Sequence, residues 1–123
     1  MNDVERARRV DLLSKTMYEY LECFLANDVK NISRYFDWPL TFFTGETFIK
    51  MAKWSYEVHK DYKTSVGVQF NVVDINEKSG LVIGTGTRIK KDDSLLETFT
   101  PAYSCVYKNN EWREKGENTK HFQ

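Results

Sequence analysis

The sequence has no excess of charge of either sign, because 18 Lys and Arg residues balance 18 Asp and Glu residues among 123 positions. Proteins that hold nucleic acid need a basic footprint, and polybasic membrane anchors need clustered cations. The zero net charge therefore argues against nucleic-acid and membrane partners. It also favours an apolar, oxygenated ligand over a phosphorylated one.

Cysteine is scarce, and the residue patterns of metal and cofactor sites are missing. Cys23 and Cys105 lie far apart and outside any CxxC motif. We interpret them as free buried thiols, with a disulfide or a reactive thiol as the alternatives. The chain has no HxxxH motif, no clustered acids, and neither a Gly-x-Gly-x-x-Gly nor a Walker pattern. We therefore expect no metal and no cofactor.

Long hydrophobic runs are also lacking. The longest falls far short of the roughly 18 residues that a membrane-spanning helix needs. Residues 1–9 lead into a charged amphipathic segment, whereas a signal peptide would have an apolar stretch there. These observations predict a cytoplasmic protein.

Aromatic residues, in contrast, are abundant, since three Trp, seven Tyr and eight Phe make up 15% of the chain. Large rings fill cores and also line pockets for apolar ligands. A chain of this length favours a single domain over residues 1–123, and its folding can bury about two-thirds of its surface. The sequence thus supports both a core and a pocket without metal or disulfide bonds.

The first half of the chain predicts three helices. Asp3 is a suitable N-cap for a helix over residues 4–25, where apolar side chains recur at three- and four-residue spacing. Asp28 begins a second, short helix, which Trp38-Pro39 ends. Residues 40–44 predict a strand, and residues 46–62 predict a third helix.

The second half predicts antiparallel strands at residues 66–75, 81–89, 95–107 and 111–117. The alternation slips at Val73 and Ile75, which indicates a bulge. Asn109-Asn110 is a hairpin signal, and we interpret Gly84 and Gly86 as positions where the sheet bends. The predicted fold class is α+β, a cone of three N-terminal helices packed on a strongly curved antiparallel sheet. The open end of such a cone is a pocket for a small molecule.

Two stretches are similar to a known superfamily. Residues 20–36 contain a helix end, an Asp-containing turn and a short helix that ends in an aromatic; residues 99–113 contain an aromatic strand, a two-residue turn and Trp-Arg. Together with the element order, which agrees over nearly the whole chain, they resemble the nuclear-transport-factor-2-like (NTF2-like) superfamily. The likeness is greatest to its ketosteroid-isomerase-like and SnoaL-like branch. The resemblance implies a cystatin-like cone and a homodimer formed sheet to sheet.

The resemblance also implies a catalytic arrangement. The isomerase branch uses an acidic general base and two hydrogen-bond donors that hold a dienolate oxygen. The donor positions fall on Tyr20 and Tyr103, and two phenols can both donate to an oxyanion. The base position falls on Thr44 or its neighbour Phe43, neither of which can take a proton near neutral pH. The sequence therefore departs from the isomerase pattern at the base.

Four residues are candidates for catalysis. Tyr20 and Tyr103 are the donors, with a buried core tyrosine and a dimer-surface tyrosine as their respective alternatives. Asp37 is a candidate base, although it also suits a turn. His59 is a candidate acid or base at the pocket rim, although it also suits the packed face of the third helix. The predicted pocket-lining residues are Phe24, Trp38, Phe42, Trp54, Phe70, Phe99, Cys105 and Tyr107.

Three carboxylates outside this set have ordinary interpretations. Glu46 suits the start of the third helix, where the helix dipole favours a negative charge. Asp74 and Glu97 lie within predicted strands, where exposed charges are the common case. A buried one would have a raised pKa and deserve a catalytic test.

Both faces of the predicted sheet carry apolar or neutral side chains. Along residues 81–89, Leu81, Ile83 and Ile89 alternate with Val82 and the two glycines. Helices can cover only one face, so we expect a homodimer through the outer one.

Three functions fit the sequence. One is an isomerase, cyclase or dehydratase that acts on an apolar, oxygenated ligand. Another is a module that binds a small apolar, polycyclic or aromatic ligand without chemistry. The third is a partner-binding or structural domain whose cone is filled by its own rings.

Overall fold

The computed structural model describes the backbone of residues 1–44, 47–53 and 61–122, and the side chains of residues 1–42, 50–53 and 61–118. Helices and strands follow one another in an α-then-β order. The elements are helix α1 (Asp3–Leu25), helix α2 (Val29–Ile32), a 3₁₀ turn (Ser33–Tyr35), and strands β1 (Phe36–Thr44), β2 (Thr47–Met51), β3 (Tyr62–Ile75), β4 (Ser79–Lys90), β5 (Leu95–Lys108) and β6 (Glu111–Phe122).

Helix α1 confirms the first predicted helix and corrects its cap. The N-cap is Asn2, whose side chain accepts a hydrogen bond from the backbone N–H of Glu5 at 2.8 Å. The helix buries Leu13, Met17 and Tyr20, which lie at the three- and four-residue spacing that places them on one face. This face packs on the sheet and forms the centre of the core.

The prediction of a third helix is wrong over Thr47–Met51, where the structure has strand β2. β2 pairs antiparallel with β1, so that Leu40 lies opposite Met51 and Thr44 lies opposite Thr47. The segment begins Thr-Phe-Ile, and β-branched and aromatic side chains of this kind favour a strand in a short apolar run. It is also wrong at Ala52 and Lys53, which form a bend, and at Tyr62, which begins β3. Residues 46 and 54–60 of the predicted helix, including Trp54 and His59, lie outside the described residues.

Strand β1 is longer than predicted, because it begins at Phe36 immediately after the 3₁₀ turn. It pairs with β6 in the parallel direction, so the sheet is mixed and not purely antiparallel. The order of strands across the sheet is β2-β1-β6-β5-β4-β3. β6, the last strand in the chain, therefore lies next to both β1 and β5.

The four predicted strands of the second half are confirmed as β3 to β6. The predicted bulge is confirmed too, since the register of β3 against β4 shifts between Val72 and Asp74. Asn109 and Asn110 both have positive φ, 54° and 63°, and join β5 to β6 where Lys108 pairs with Glu111. Positive φ at both positions is the geometry of the two-residue type I′ hairpin turn.

One face of this sheet packs on α1 and the other faces outward. Val82 is completely buried, whereas its neighbour Leu81 is 39% exposed, as the predicted alternation of β4 requires. We call the α1-facing side the inner face and the opposite side the outer face. No helix in the described part of the chain is long and apolar enough to cross a bilayer.

Candidate functional site

Two tyrosines meet at the centre of the inner face. Tyr20 comes from the C-terminal half of α1 and Tyr103 from the middle of β5, and each side chain is 4% exposed. Their ring centroids lie 6.0 Å apart with an interplanar angle of 69°, an edge-to-face arrangement. The structure thus brings the two predicted donors together.

Both phenols stay protonated at neutral pH. Burial is the main cause that raises the pKa of Tyr20 and of Tyr103 well above 10.0. A hydrogen bond between the two phenols raises the pKa of Tyr20 further and lowers that of Tyr103. One of the two hydroxyl protons lies in this bond, so the other is available to a further acceptor.

A third polar group beside the tyrosines was not singled out in the sequence. Glu114 on β6 is 1% exposed, and neither oxygen of its carboxyl group has a hydrogen-bond partner in the part of the chain that the structure describes. Burial raises the pKa of Glu114 well above 4.5, and the negative charge of Glu117 raises it further. Since a buried, unpaired carboxylate is very unfavourable, Glu114 is neutral and carries a proton.

Glu114 could have been found from the hairpin. The Asn-Asn turn pairs Tyr107 with Trp112, and the next inner position on β6 is then Glu114, opposite Cys105. An acidic residue on the apolar face of a strand is the signal of a buried acid.

A bulge in β6 brings a second carboxylate to the same face. Ser104 pairs with Gly116 and Cys105 with Glu114, so Lys115 is the extra residue. Residues three apart in a regular strand face opposite sides, but this bulge places Glu114 and Glu117 on the same one. Glu117 is partly exposed and lies opposite Tyr103 on β5.

Aromatic rings enclose the phenols. Tyr20 contacts Phe24 and Phe36 at centroid distances of 6.2 and 5.7 Å, and Tyr103 contacts Phe70 at 5.8 Å. These rings supply an apolar wall, and the described polar side chains beside it are Tyr20, Tyr103, Glu114 and Glu117.

The predicted pocket-lining residues divide into several groups. Phe24, Phe70 and Cys105 lie beside the polar centre, and Phe42 lies next to Glu117 in the β1–β6 register. Trp38 is separated from Tyr20 by Phe36, and its ring lies 5.2 Å from the Phe36 ring. Trp54 lies outside the described residues.

Tyr107 belongs to a different part of the molecule. Its ring packs against Trp112 at 5.0 Å, beneath the guanidinium of Arg9, and its hydroxyl accepts a hydrogen bond from Arg8 at 3.1 Å. These partners lie at the N-terminal half of α1, so Tyr107 does not line the site around Tyr20.

Asp37 is not part of this site, and the hypothesis that it acts as the base finds no support in the geometry. Its carboxylate lies 3.1 Å from Lys108 Nζ and 3.4 Å from Lys115 Nζ. Burial raises the pKa of Asp37, but the two ammonium groups outweigh this and hold it below 3.8. Asp37 follows inward-facing Phe36 in β1 and binds Lys115, the bulge residue, so it serves the structure of the strand.

The other predicted acids that the structure describes are ion-paired. Asp74 is exposed and paired with Arg6 at 2.7 Å, and Glu97 is paired with Arg88 at 2.7 Å. His59, Glu46 and the side chains of Thr44 and Phe43 lie outside the described residues. Among described residues, no group of three or more His, Cys, Asp or Glu side chains could hold a metal ion.

Solved structures share this architecture. A ketosteroid isomerase-like protein from Erwinia carotovora atroseptica matches with a TM-score of 0.68 at 10% identity, over 93% of this chain and 96% of its own. A candidate dehydratase of the NTF2-like family from Streptomyces avermitilis matches with a TM-score of 0.68 at 11% identity, over 95% and 98%. A protein with a cystatin-like fold from Nostoc punctiforme matches with a TM-score of 0.60 at 9% identity, over 90% and 89%.

This chain has the NTF2-like, cystatin-like fold. No protein-family model and no curated protein sequence matches it. Because the NTF2-like fold carries many unrelated functions, the function has to be argued from the site. In the described part of this NTF2-like fold, the polar groups beside the two phenols include Glu114 and Glu117.

Proposed function

We propose that this protein binds a small, apolar, oxygenated molecule on the inner face of its sheet and holds an oxygen atom of that molecule through Tyr103 and Glu114. The observation that carries the proposal is Glu114, a carboxyl group 1% exposed with both oxygens unpartnered in the described structure. Leaving a buried polar group unsatisfied costs about 1–3 kcal/mol. A ligand oxygen that accepts its proton would recover this energy.

The donors are arranged to favour negative charge on that oxygen. We assign Tyr20 as the donor to Tyr103, which polarises the Tyr103 hydroxyl, so that Tyr103 and neutral Glu114 each retain a proton to donate. Neutral donors in a water-poor site stabilise a carbonyl oxygen most when it becomes an enolate. This is the electrophilic part of an isomerase, cyclase or dehydratase, and we infer an enzyme of this kind.

The ligand class follows from the surroundings. The rings of Phe24, Phe36 and Phe70 face the phenols, so the body of the ligand is apolar, and flat aromatic or polycyclic molecules suit such walls. A ketone or enone combines this apolar body with one acceptor oxygen.

A matched pair of probes tests the proposal. Acetylnaphthalene carries a carbonyl oxygen, whereas ethylnaphthalene has nearly the same shape without one. We expect acetylnaphthalene to bind about tenfold more tightly, the equivalent of one net hydrogen bond, in calorimetry. Its carbonyl stretch should shift to lower frequency on binding, which infrared difference spectroscopy detects. Equal affinity of the two probes, or binding of neither, would contradict the proposal and favour a cone filled by its own rings.

A second candidate function rests on the outer face. Val66 is 47% exposed and Leu81 is 39% exposed, and both lie on the side away from α1. An open groove of about 400 Å³ crosses this face between Leu81, Val106 and Lys115. Exposed apolar side chains on a sheet are typical of an interface. We propose a second copy of this chain as the partner, so a dimeric interaction domain without chemistry is the alternative function.

A further inference from the structure

Proton transfer in this site needs a base as well as the donors. The position expected to supply it reads Thr44 or Phe43, and Asp37 is held by two lysines. On the described inner face, Glu97 is paired with Arg88 at 2.7 Å, whereas Glu117 lies directly opposite Tyr103. We propose that Glu117 is the general base of this site and that Glu114 is the proton-bearing partner of the pair. This inference rests on the proposed binding of an oxygenated ligand.

The register places Glu117 where a base is needed. It lies opposite Tyr103 on β5 and beside Phe42 on β1. Directly paired residues of neighbouring strands project to the same face. Thr44 pairs with Thr119, one inner position further along the same strands. The Glu117 carboxylate on β6 therefore lies one inner position away from Thr44, the position on β1 where the resemblance implies an acidic base.

The bulge at Lys115 makes this placement possible. Without it, the side chain at position 117 would face outward whenever Glu114 faces inward. Lys115 instead reaches the other side, where its ammonium lies 3.4 Å from the Asp37 carboxylate. The lysine–aspartate contact joins the bulge to β1 and fixes which residues of β6 face the phenols.

The two carboxyl groups have unequal surroundings, and this assigns their roles. Glu114 is sealed from water, whereas Glu117 is partly exposed and its negative charge acts on Tyr20, Tyr103 and Glu114. Pairs whose environments push their protonation apart divide into an acid and a base. Independently of the pair, both oxygens of Glu114 lack a hydrogen-bond partner among the described residues, and a polar ligand would supply one.

The reaction step follows from these roles. Glu117 takes a proton from the carbon next to the ligand's carbonyl, and the electrons of that C–H bond form a C=C bond. The carbonyl π electrons move to oxygen, where Tyr103 and Glu114 donate hydrogen bonds. Where a second C=C bond is conjugated with the enolate, the C=O bond re-forms, the electrons of the C=C bonds shift, and the far carbon takes the proton from Glu117, which completes an isomerisation. In a β-hydroxy ketone, the C=O bond re-forms, the enolate C=C electrons form the new C=C bond, and the C–O bond breaks; the departing hydroxide takes the proton from Glu117 as water, which completes a dehydration.

Elimination of nitrobenzisoxazole tests the base without knowledge of the natural substrate. A base takes the C–H proton, the N–O bond breaks, and a cyanophenolate forms that absorbs visible light. We expect the wild type to accelerate this reaction and Glu117→Gln to lose at least about 100-fold, the usual contribution of a positioned base. Glu117→Asp should keep a measurable part of the rate. Glu111→Gln, an exposed glutamate on the same strand, is the matched control and should keep the full rate.

Carboxyl NMR gives a second readout that a structural role would not produce. Glu114 faces Tyr20 from α1, Tyr103 and Cys105 from β5, and Glu117 from β6. Removal of the Glu117 charge in Glu117→Gln should shift the titration of the Glu114 carboxyl carbon to lower pH, while Glu111→Gln leaves it in place.

The outcomes separate this inference from the proposed function. Suppose that Glu117→Gln binds acetylnaphthalene like the wild type but still eliminates nitrobenzisoxazole at the wild-type rate. Glu117 is then not the base, although the ligand site stands. A wild type that binds acetylnaphthalene and gives no acceleration also overturns the inference. If the wild type binds acetylnaphthalene and ethylnaphthalene equally, or binds neither, the proposed function itself is overturned.

Discussion

The rings of Tyr20 and Tyr103 pack edge to face at a centroid distance of 6.0 Å, which joins helix α1 to the middle of strand β5. This contact serves two purposes at once. It buries two large rings in the core, and it makes the two phenols hydrogen-bond partners. Core packing and the proposed ligand binding therefore involve the same pair of residues, and substitutions that remove only the hydroxyl should separate the two effects.

The two tyrosines should contribute unequally to ligand binding. Tyr103 donates to the ligand directly, so Tyr103→Phe should weaken acetylnaphthalene binding about tenfold and abolish most of the carbonyl shift. Tyr20 acts through Tyr103, so Tyr20→Phe should leave a smaller carbonyl shift and a smaller loss of affinity. Calorimetry and infrared difference spectroscopy measure both. Tyr107→Phe, whose hydroxyl binds Arg8, is the control. Equal losses in all three variants would contradict the assigned order of donors.

Glu114 should make the protein less stable as the pH rises. Its pKa is raised well above 4.5 in the folded state, so the folded protein holds a proton that the unfolded chain releases. The contribution of Glu114 is thus complete below about 4.5, the unfolded value, and is lost as the pH rises towards the folded pKa. Urea unfolding from pH 5 to 8 should show a decrease in unfolding free energy for the wild type.

Glu114→Gln isolates this effect. The variant keeps the shape of the side chain but cannot ionise, so the decrease with pH should be smaller than in the wild type. Asp74→Asn is the control, since it also removes a carboxylate. Asp74 is exposed and its pKa is lowered mainly by Arg6, so this variant should keep the decrease with pH that the wild type shows. If Glu114→Gln and the wild type respond to pH in the same way, the carboxyl is not held neutral by the fold.

Much of the sheet could be predicted from the sequence because its strands are long and alternate. The slip at Val73, the Asn109-Asn110 turn and the burial of Val82 against exposure of Leu81 follow from a two-residue period. Short segments have too few residues for the alternation to repeat in this way. Thr47–Met51 fits a helix face or a strand equally well by spacing, and its pairing with β1 decided the outcome.

The site could be predicted only in part. Tyr20 and Tyr103 were reached by resemblance, and the described structure places them together. Glu117 could not be reached, because its face depends on the bulge at Lys115, which the register with β5 and the contact with Asp37 determine. Such a register depends on how neighbouring strands pair, so the pattern of residues within a single strand does not reveal it.

The outer face predicts a dimer. Leu81 lies on this face at the groove and would be covered by the second copy, so Leu81→Glu should introduce charges that the interface cannot accept. We expect a dimeric mass for the wild type at tens of micromolar in sedimentation and a monomeric mass for the variant. Lys15→Glu changes an exposed residue on α1 and should leave the mass unchanged. A monomeric wild type would count against the interface and against the alternative function that rests on it.

Gly86 makes room for a ring at the edge of the site. A Cβ at this position would lie 2.8 and 2.9 Å from two ring carbons of Phe99 and 3.0 Å from a Val68 methyl carbon, closer than atoms can pack. Gly86→Ala should therefore destabilise the protein by about 1–3 kcal/mol, as overpacked cores do, and move Phe99 from beneath the Arg88 guanidinium. Thermal unfolding measures the loss. A second substitution, Phe99→Leu, removes the ring atoms that clash, so the double variant should recover part of the stability lost in Gly86→Ala. If the two losses simply add, the glycine is needed for the backbone and not for the ring.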